Sequence, residues 1–111
     1  MEIQSRFEAG LEIFVMSGCT TIGDGAEPLR LRFRRSVDQG HLHFLFDLRD
    51  LRFIDSASIG EMIACLKQAS EQSGSVKLLV SQGGSIDEVI WLSGMNQVFE
   101  VFYDLDAAIQ N

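Results

Sequence analysis

Two hydroxyls and two carboxylates fall within one short stretch, Asp55-Ser56-Ala57-Ser58-Ile59-Gly60-Glu61. It follows a brief apolar run, Leu51–Ile54, and leads into a helical stripe of Ile59, Met62, Ile63, Leu66 and Ala69. Ser58 and Glu61 have the spacing of a capping box, so the helix is expected to open there and end near Gly74. Ser56 then stands where a strand ends and a helix begins, beside N–H groups that point out of the helix N-terminus. A serine hydroxyl at such a place is open to a kinase. A phosphate on it carries about 1.5–2 negative charges, which the helix terminus accepts without unfolding. The plain alternative is an Asp-Ser pair that caps a helix and does nothing more.

Other constellations carry less. His41 and His43 lie two apart on one expected strand face and could each offer a nitrogen to a metal, but no third ligand is close in sequence. Gly83-Gly84-Ser85 before a helix could cradle a phosphate through backbone N–H groups, although short glycine turns of this kind are common without a ligand. Arg30, Arg32, Arg34 and Arg35 form a basic cluster, read either as a docking point for an acidic partner or as a solvated helix face. No Walker loop, dinucleotide fingerprint, HExxH helix or GxSxG elbow is present, and no nucleophile–base pair stands out. The sequence offers no catalytic residue, no metal site and no cofactor site.

The elements that must hold these residues follow from periodicity. Ile3–Glu8 and Leu11–Met16 read as strands joined at Ala9-Gly10, an antiparallel edge, and residues 17–25 read as a loop. Leu29, Phe33 and Val37 set a helix over Ala26–Asp38, with Pro28 in its first turn and Gly40 beyond its end. Leu42–Leu48 is apolar on both faces, as a central buried strand should be. Val76–Val80 is a short strand; Ile86, Val89, Ile90 and Ser93 mark a helix stopped by Gly94. Val98–Tyr103 reads as the last strand and Asp104–Gln110 as a closing helix. Strands alternating with helices imply a single α/β domain over residues 1–111: a mixed, largely parallel sheet with an antiparallel N-terminal edge strand, packed by four helices.

Composition bounds the function. The chain has 111 residues, 46% of them hydrophobic and 23% charged, as in one ordinary globular domain. Its net charge of −7 argues against nucleic acid or an anionic membrane as partner, since both call for a basic surface. No apolar run is long enough to insert in a membrane, and the N-terminal residues do not resemble a secretory signal. Cys19 and Cys65 form no framework, and both are expected to be small buried thiols in a reducing cytoplasm.

Phe53-Ile54-Asp55-Ser56-Ala57-Ser58-Ile59-Gly60 resembles the Asp-Ser-Ser/Thr-Gly-Leu-Gly signature of STAS domains, specifically of bacterial anti-sigma factor antagonists. Phe44-Leu45-Phe46-Asp47-Leu48 is similar to that family's apolar strand ending in Asp-Leu, and Leu92-Ser93-Gly94-Met95 with Val98-Phe99 to its Leu-x-Gly-Leu…Phe segment. The resemblance runs from about Gly10 to Ile109. It implies that Ser56 is the phosphorylation site of a partner switch. The unphosphorylated form binds a serine kinase that doubles as anti-sigma factor, phosphorylation releases it, and a separate phosphatase resets the serine. It implies no catalysis and no cofactor in the chain itself; a monomer or weak dimer is expected. The chain departs from the signature at Ala57 and Ser58, and Thr21 replaces an acid that many members carry near the serine. Ser58 thereby becomes a second candidate hydroxyl. The expected contact surface is Asp55, Ser56, Ala57, Ser58, Glu61 and Met62, with Met62 equally readable as core. The other role open to such a fold is an unphosphorylated scaffold or a subunit of a signalling or lipid/anion transport complex.

Overall fold

The computed structural model describes residues 1–19 and 26–111. Five strands, β1 (Glu2–Glu8), β2 (Leu11–Cys19), β3 (His43–Phe53), β4 (Ser75–Leu79) and β5 (Glu100–Phe102), form one sheet in sequence order. β1 and β2 are antiparallel, with Glu8 opposite Leu11. Their turn places Ala9 and Gly10 at φ of 52° and 82°, a conformation glycine adopts at little cost. The other three pairings are parallel. The sheet is thus mixed, with the antiparallel edge that the sequence implies.

Helices α1 (Ala26–Asp38), α2 (Ser56–Glu71) and α3 (Ser85–Ser93) connect the parallel strands, and α4 (Leu105–Gln110) follows β5. Right-handed crossovers that all step the sheet the same way leave every connecting helix on one face. Accordingly α1, α2 and α3 share a core with Phe14, Met16, Phe44, Phe46, Val76 and Leu78. Phe14 stacks on Phe46 with ring centroids 5.5 Å apart, and Phe33 of α1 lies 4.5 Å from Phe44. Such ring clusters contribute beyond the area they remove from water. The opposite face is covered by α4, where Leu11, Ile13, Leu45 and Leu79 pack with Ala108. Lys77 reaches across that face: its Nζ donates to the Ala108 carbonyl at 3.2 Å and sits 5.6 Å from the Phe102 ring centroid.

Several boundaries differ from the sequence expectation. Ser17, Gly18 and Cys19 belong to β2, and the runs Leu42–Leu48 and Leu51–Ile54 are mostly one strand, β3. Each extension has the other as its cause, because Ser17 pairs with Asp50, Gly18 with Leu51 and Cys19 with Phe53, across two register shifts. The last strand is only Glu100–Phe102, since Gly94 enters the left-handed region and Met95–Gln97 turn as a 3-10 helix that buries Met95. His41 precedes β3, so it does not share a strand face with His43.

Candidate functional site

The local signal at residues 55–61 becomes a helix start, but not at the residue its spacing suggested. Asp55 is the N-cap of α2: its backbone is extended, and its Oδ1 accepts from the Ser58 N–H at 2.8 Å. Ser58 therefore lies inside the first turn rather than capping it. Two overlapping patterns fit this stretch, Asp55 with Ser58 and Ser58 with Glu61, and the structure uses the first, with Ser58 taken into the helix and buried.

One residue advances a helix by about 100°, so the cap decides which hydroxyl faces out. Ser56 and Ala57 are exposed. Ser58 is 0% exposed, and its Oγ is buried without a hydrogen-bond partner. Of the two candidate hydroxyls, Ser58 is thus buried and Ser56 exposed. Met62 is likewise 0% exposed and belongs to the main core, so of the two readings of this residue the structure gives the packing one. The outward face of α2 continues instead through Gly60, Ile63, Ala64 and Lys67.

The charge around Ser56 is arranged by two helices. The first turn of α2 holds no acid, whereas Glu27 stands in that of α1 and Asp87 and Glu88 in that of α3. Anions are favoured at a helix N-terminus, and here the Asp55 carboxylate supplies one at the cap, with no further acid in the turn behind it. Glu61, half-buried, lies 3.8 Å from Arg30 of α1, which also reaches Glu27 at 3.9 Å. Arg32 donates to Ser5 of β1. The arginine cluster is thus divided: Arg30 and Arg32 brace α1 against its neighbours, and Arg34 and Arg35 face solvent.

A hollow of about 170 Å³ lies at the C-terminal ends of β3 and β4, lined by Leu48, Arg49, Leu51, Ser81 and the start of α3. Arg49 is turned to Asp47, with Nε 3.0 Å from Oδ1 and Nη2 2.9 Å from Oδ2, and that bond raises the guanidinium pKa still further. The glycine turn beside it is occupied by the protein's own acceptors. The Gly83 N–H donates to Asp87 Oδ2 at 2.9 Å and the Gly84 N–H to the Ser81 carbonyl at 3.1 Å. Those two amides close a turn, in keeping with the reading of this stretch as a common glycine turn.

The remaining candidates separate. His43 Nδ1 lies 2.9 Å from Ser75 Oγ, while His41 packs against Phe7, and no group of metal-ligating side chains occurs among the described residues. Cys65 is a buried free thiol, as expected. Thr20 and Thr21 lie outside the described residues, as does the burial of Cys19. Among the described residues no helix is long and apolar enough to cross a membrane.

Comparison with solved structures places this architecture beside three related ones. An anti-sigma factor antagonist from Mycobacterium paratuberculosis superposes with a TM-score of 0.83 at 17% identity, over 99% of this chain and 94% of that one. The phosphorylated form of the Bacillus cell-fate determinant SpoIIAA gives 0.73 at 17% identity, over 98% and 97%. Its unphosphorylated form gives 0.70 at 12% identity, over 96% and 93%. No curated protein sequence matches. At such low identities the superpositions show a shared fold. The family profile of the STAS domain matches residues 24–108, and by that match over most of its length the chain belongs to the STAS domain family.

Proposed function

We propose that this STAS domain is an anti-sigma factor antagonist that works as a partner switch, with Ser56 as its control point. One observation carries the reading: Asp55 caps α2 so that Ser56 is presented to solvent on the first helical residue, in a turn that holds no other acid. The unphosphorylated surface binds a serine kinase that is also the anti-sigma factor. Asp55, Ser56 and Ala57, with the edge of Glu61, form its centre. The kinase transfers the γ-phosphoryl group of ATP to Ser56 Oγ, the hydroxyl proton is lost, and ADP leaves. About 1.5–2 negative charges then stand at the helix N-terminus, which accommodates them while the partner's surface does not. A phosphatase hydrolyses the ester and restores the hydroxyl. The chain supplies the acceptor and the surface, and no catalytic group.

The test is a pull-down from the native host's lysate with ADP present, using wild type, Ser56→Asp and Ser58→Ala as baits. A serine kinase is expected on wild type and Ser58→Ala and absent from Ser56→Asp. Identical partners on all three baits would sink the switch and leave Ser56 as a residue of a constitutive scaffold, whose complex those partners would name.

A further inference from the structure

A second surface feature lies on α3. Its inner side is Ile86, Asp87 and Ile90, and Glu88, Trp91 and Leu92 share the outer side. Trp91 is 57% exposed and Leu92 79%; on the segment that follows, Val98 is 55% and Tyr103 38% exposed. A single exposed apolar side chain is ordinary, whereas adjoining large ones mark a contact surface. These are also held in place. Trp91 Nε1 donates to the Tyr103 hydroxyl at 3.2 Å, which in turn donates to Asp87 Oδ1 at 3.0 Å. The other oxygen of that buried carboxylate accepts from Gly83 N–H. A buried aspartate thus orients two aromatic rings at the surface before anything binds. Preordered Trp and Tyr with little side-chain freedom left to lose are what binding hot spots are made of.

Charge selects the occupant. Residues 78–111 contain no Lys, Arg or His and five acids, Asp87, Glu88, Glu100, Asp104 and Asp106, all but Asp87 exposed. Such a field disfavours nucleic acid and anionic lipid, and a second copy of the chain, also at −7, is repelled. We propose that Trp91, Leu92, Val98 and Tyr103 form a docking surface for a basic amphipathic segment of another protein. Its apolar side chains cover the Trp91–Leu92 pair, and its Lys and Arg side chains face Glu88 and Asp104. The surface is on a different helix from Ser56, and the proposal does not depend on the phosphorylation switch.

The probe is a synthetic peptide of leucine and arginine at helical spacing, about four turns long, carrying a dye for anisotropy. Trp91 is the chain's single tryptophan, so its emission reports the surface directly and is expected to shift to shorter wavelength and saturate. Leu92→Asp and Glu88→Lys are each expected to weaken binding about tenfold or more. Glu71→Lys removes the same charge from an exposed site on α2 and is expected to change affinity by no more than about twofold. All three positions are exposed, and unchanged melting of each variant confirms the fold. Absence of binding, equal weakening by Glu71→Lys, or undiminished binding by Leu92→Asp would overturn the proposal. So would concentration-dependent self-association of the free protein that shifts Trp91 emission, since the occupant would then be a second copy.

Discussion

Cys65 sits on the inner face of α2 at 2% exposure, one turn beyond Glu61. Burial lifts its thiol pKa far above the ordinary range, and the Glu61 carboxylate lifts it further. The folded chain therefore keeps a proton that the unfolded chain releases above a pH of about 8.5. Stability from this group is complete below that pH and falls as the pH rises through it, by about 1.4 kcal/mol per unit. Cys65→Ala is expected to flatten the alkaline limb of the stability curve, measured by urea unfolding between pH of about 7 and 10.5. Below pH of about 8 the variant and wild type should run parallel. An unchanged alkaline slope would show that the thiol ionises in the folded state. The same burial keeps the Cys65 thiol away from solvent, in contrast to the exposed Ser56 about two and a half turns back on the same helix.

At the level of elements, the join between α2 and β4 is the tightest passage among the described glycines. A Cβ on Gly74 would collide with the Leu42 carbonyl and stand 3.0 Å from that of Ala69, so Gly74→Ala is expected to cost about 1–3 kcal/mol. The neighbouring Ser73 holds a φ of 63°, and Ser73→Gly is expected to gain up to about 1 kcal/mol in the same urea titration. A stable Gly74→Ala protein would mean that the backbone at Leu42 yields. The sequence marked Gly74 only as a helix stop, because the carbonyl that forbids a side chain comes from a residue far along the chain. The same distinction runs through the fold. α1 was legible to its ends, since the Leu29–Phe33–Val37 stripe and its flanking Pro28 and Gly40 are all local. The full length of β3 was not, because Asp50, Leu51 and Phe53 are held as strand by β2 rather than by their own pattern. At the site, Ser56 was placed correctly at the strand-to-helix junction, while Asp55 and Ser58 both fitted as cap by spacing alone. The Trp91–Tyr103–Asp87 chain left no sequence signal beyond an aspartate one turn before a tryptophan.

Across the whole molecule, sixteen acids face nine bases; among the described residues Arg49–Asp47 is short, at 2.9 Å, whereas Arg6–Glu8 and Arg30 with Glu27 and the half-buried Glu61 span 3.5–3.9 Å. Long, exposed pairs contribute about 0–1 kcal/mol each, while the excess of negative charge repels itself. Raising the ionic strength from a few millimolar to about 0.15 M shortens the screening distance to about 8 Å, and the urea midpoint is expected to rise. A fall would show that attractive pairs dominate. The order of the strands has a further consequence, one of timing. Because β1 to β5 lie side by side in the order they are made, no strand has to be threaded between two already in place. A chain emerging from the ribosome can add each strand to the rim left by the one before, with α1, α2 and α3 closing over the growing sheet in turn. The opposite side is covered by α4, which follows β5 and packs across Leu11, Ile13, Leu45 and Leu79. That short helix is thus what separates the underside of the sheet from solvent, and without it those four side chains would form an exposed apolar patch.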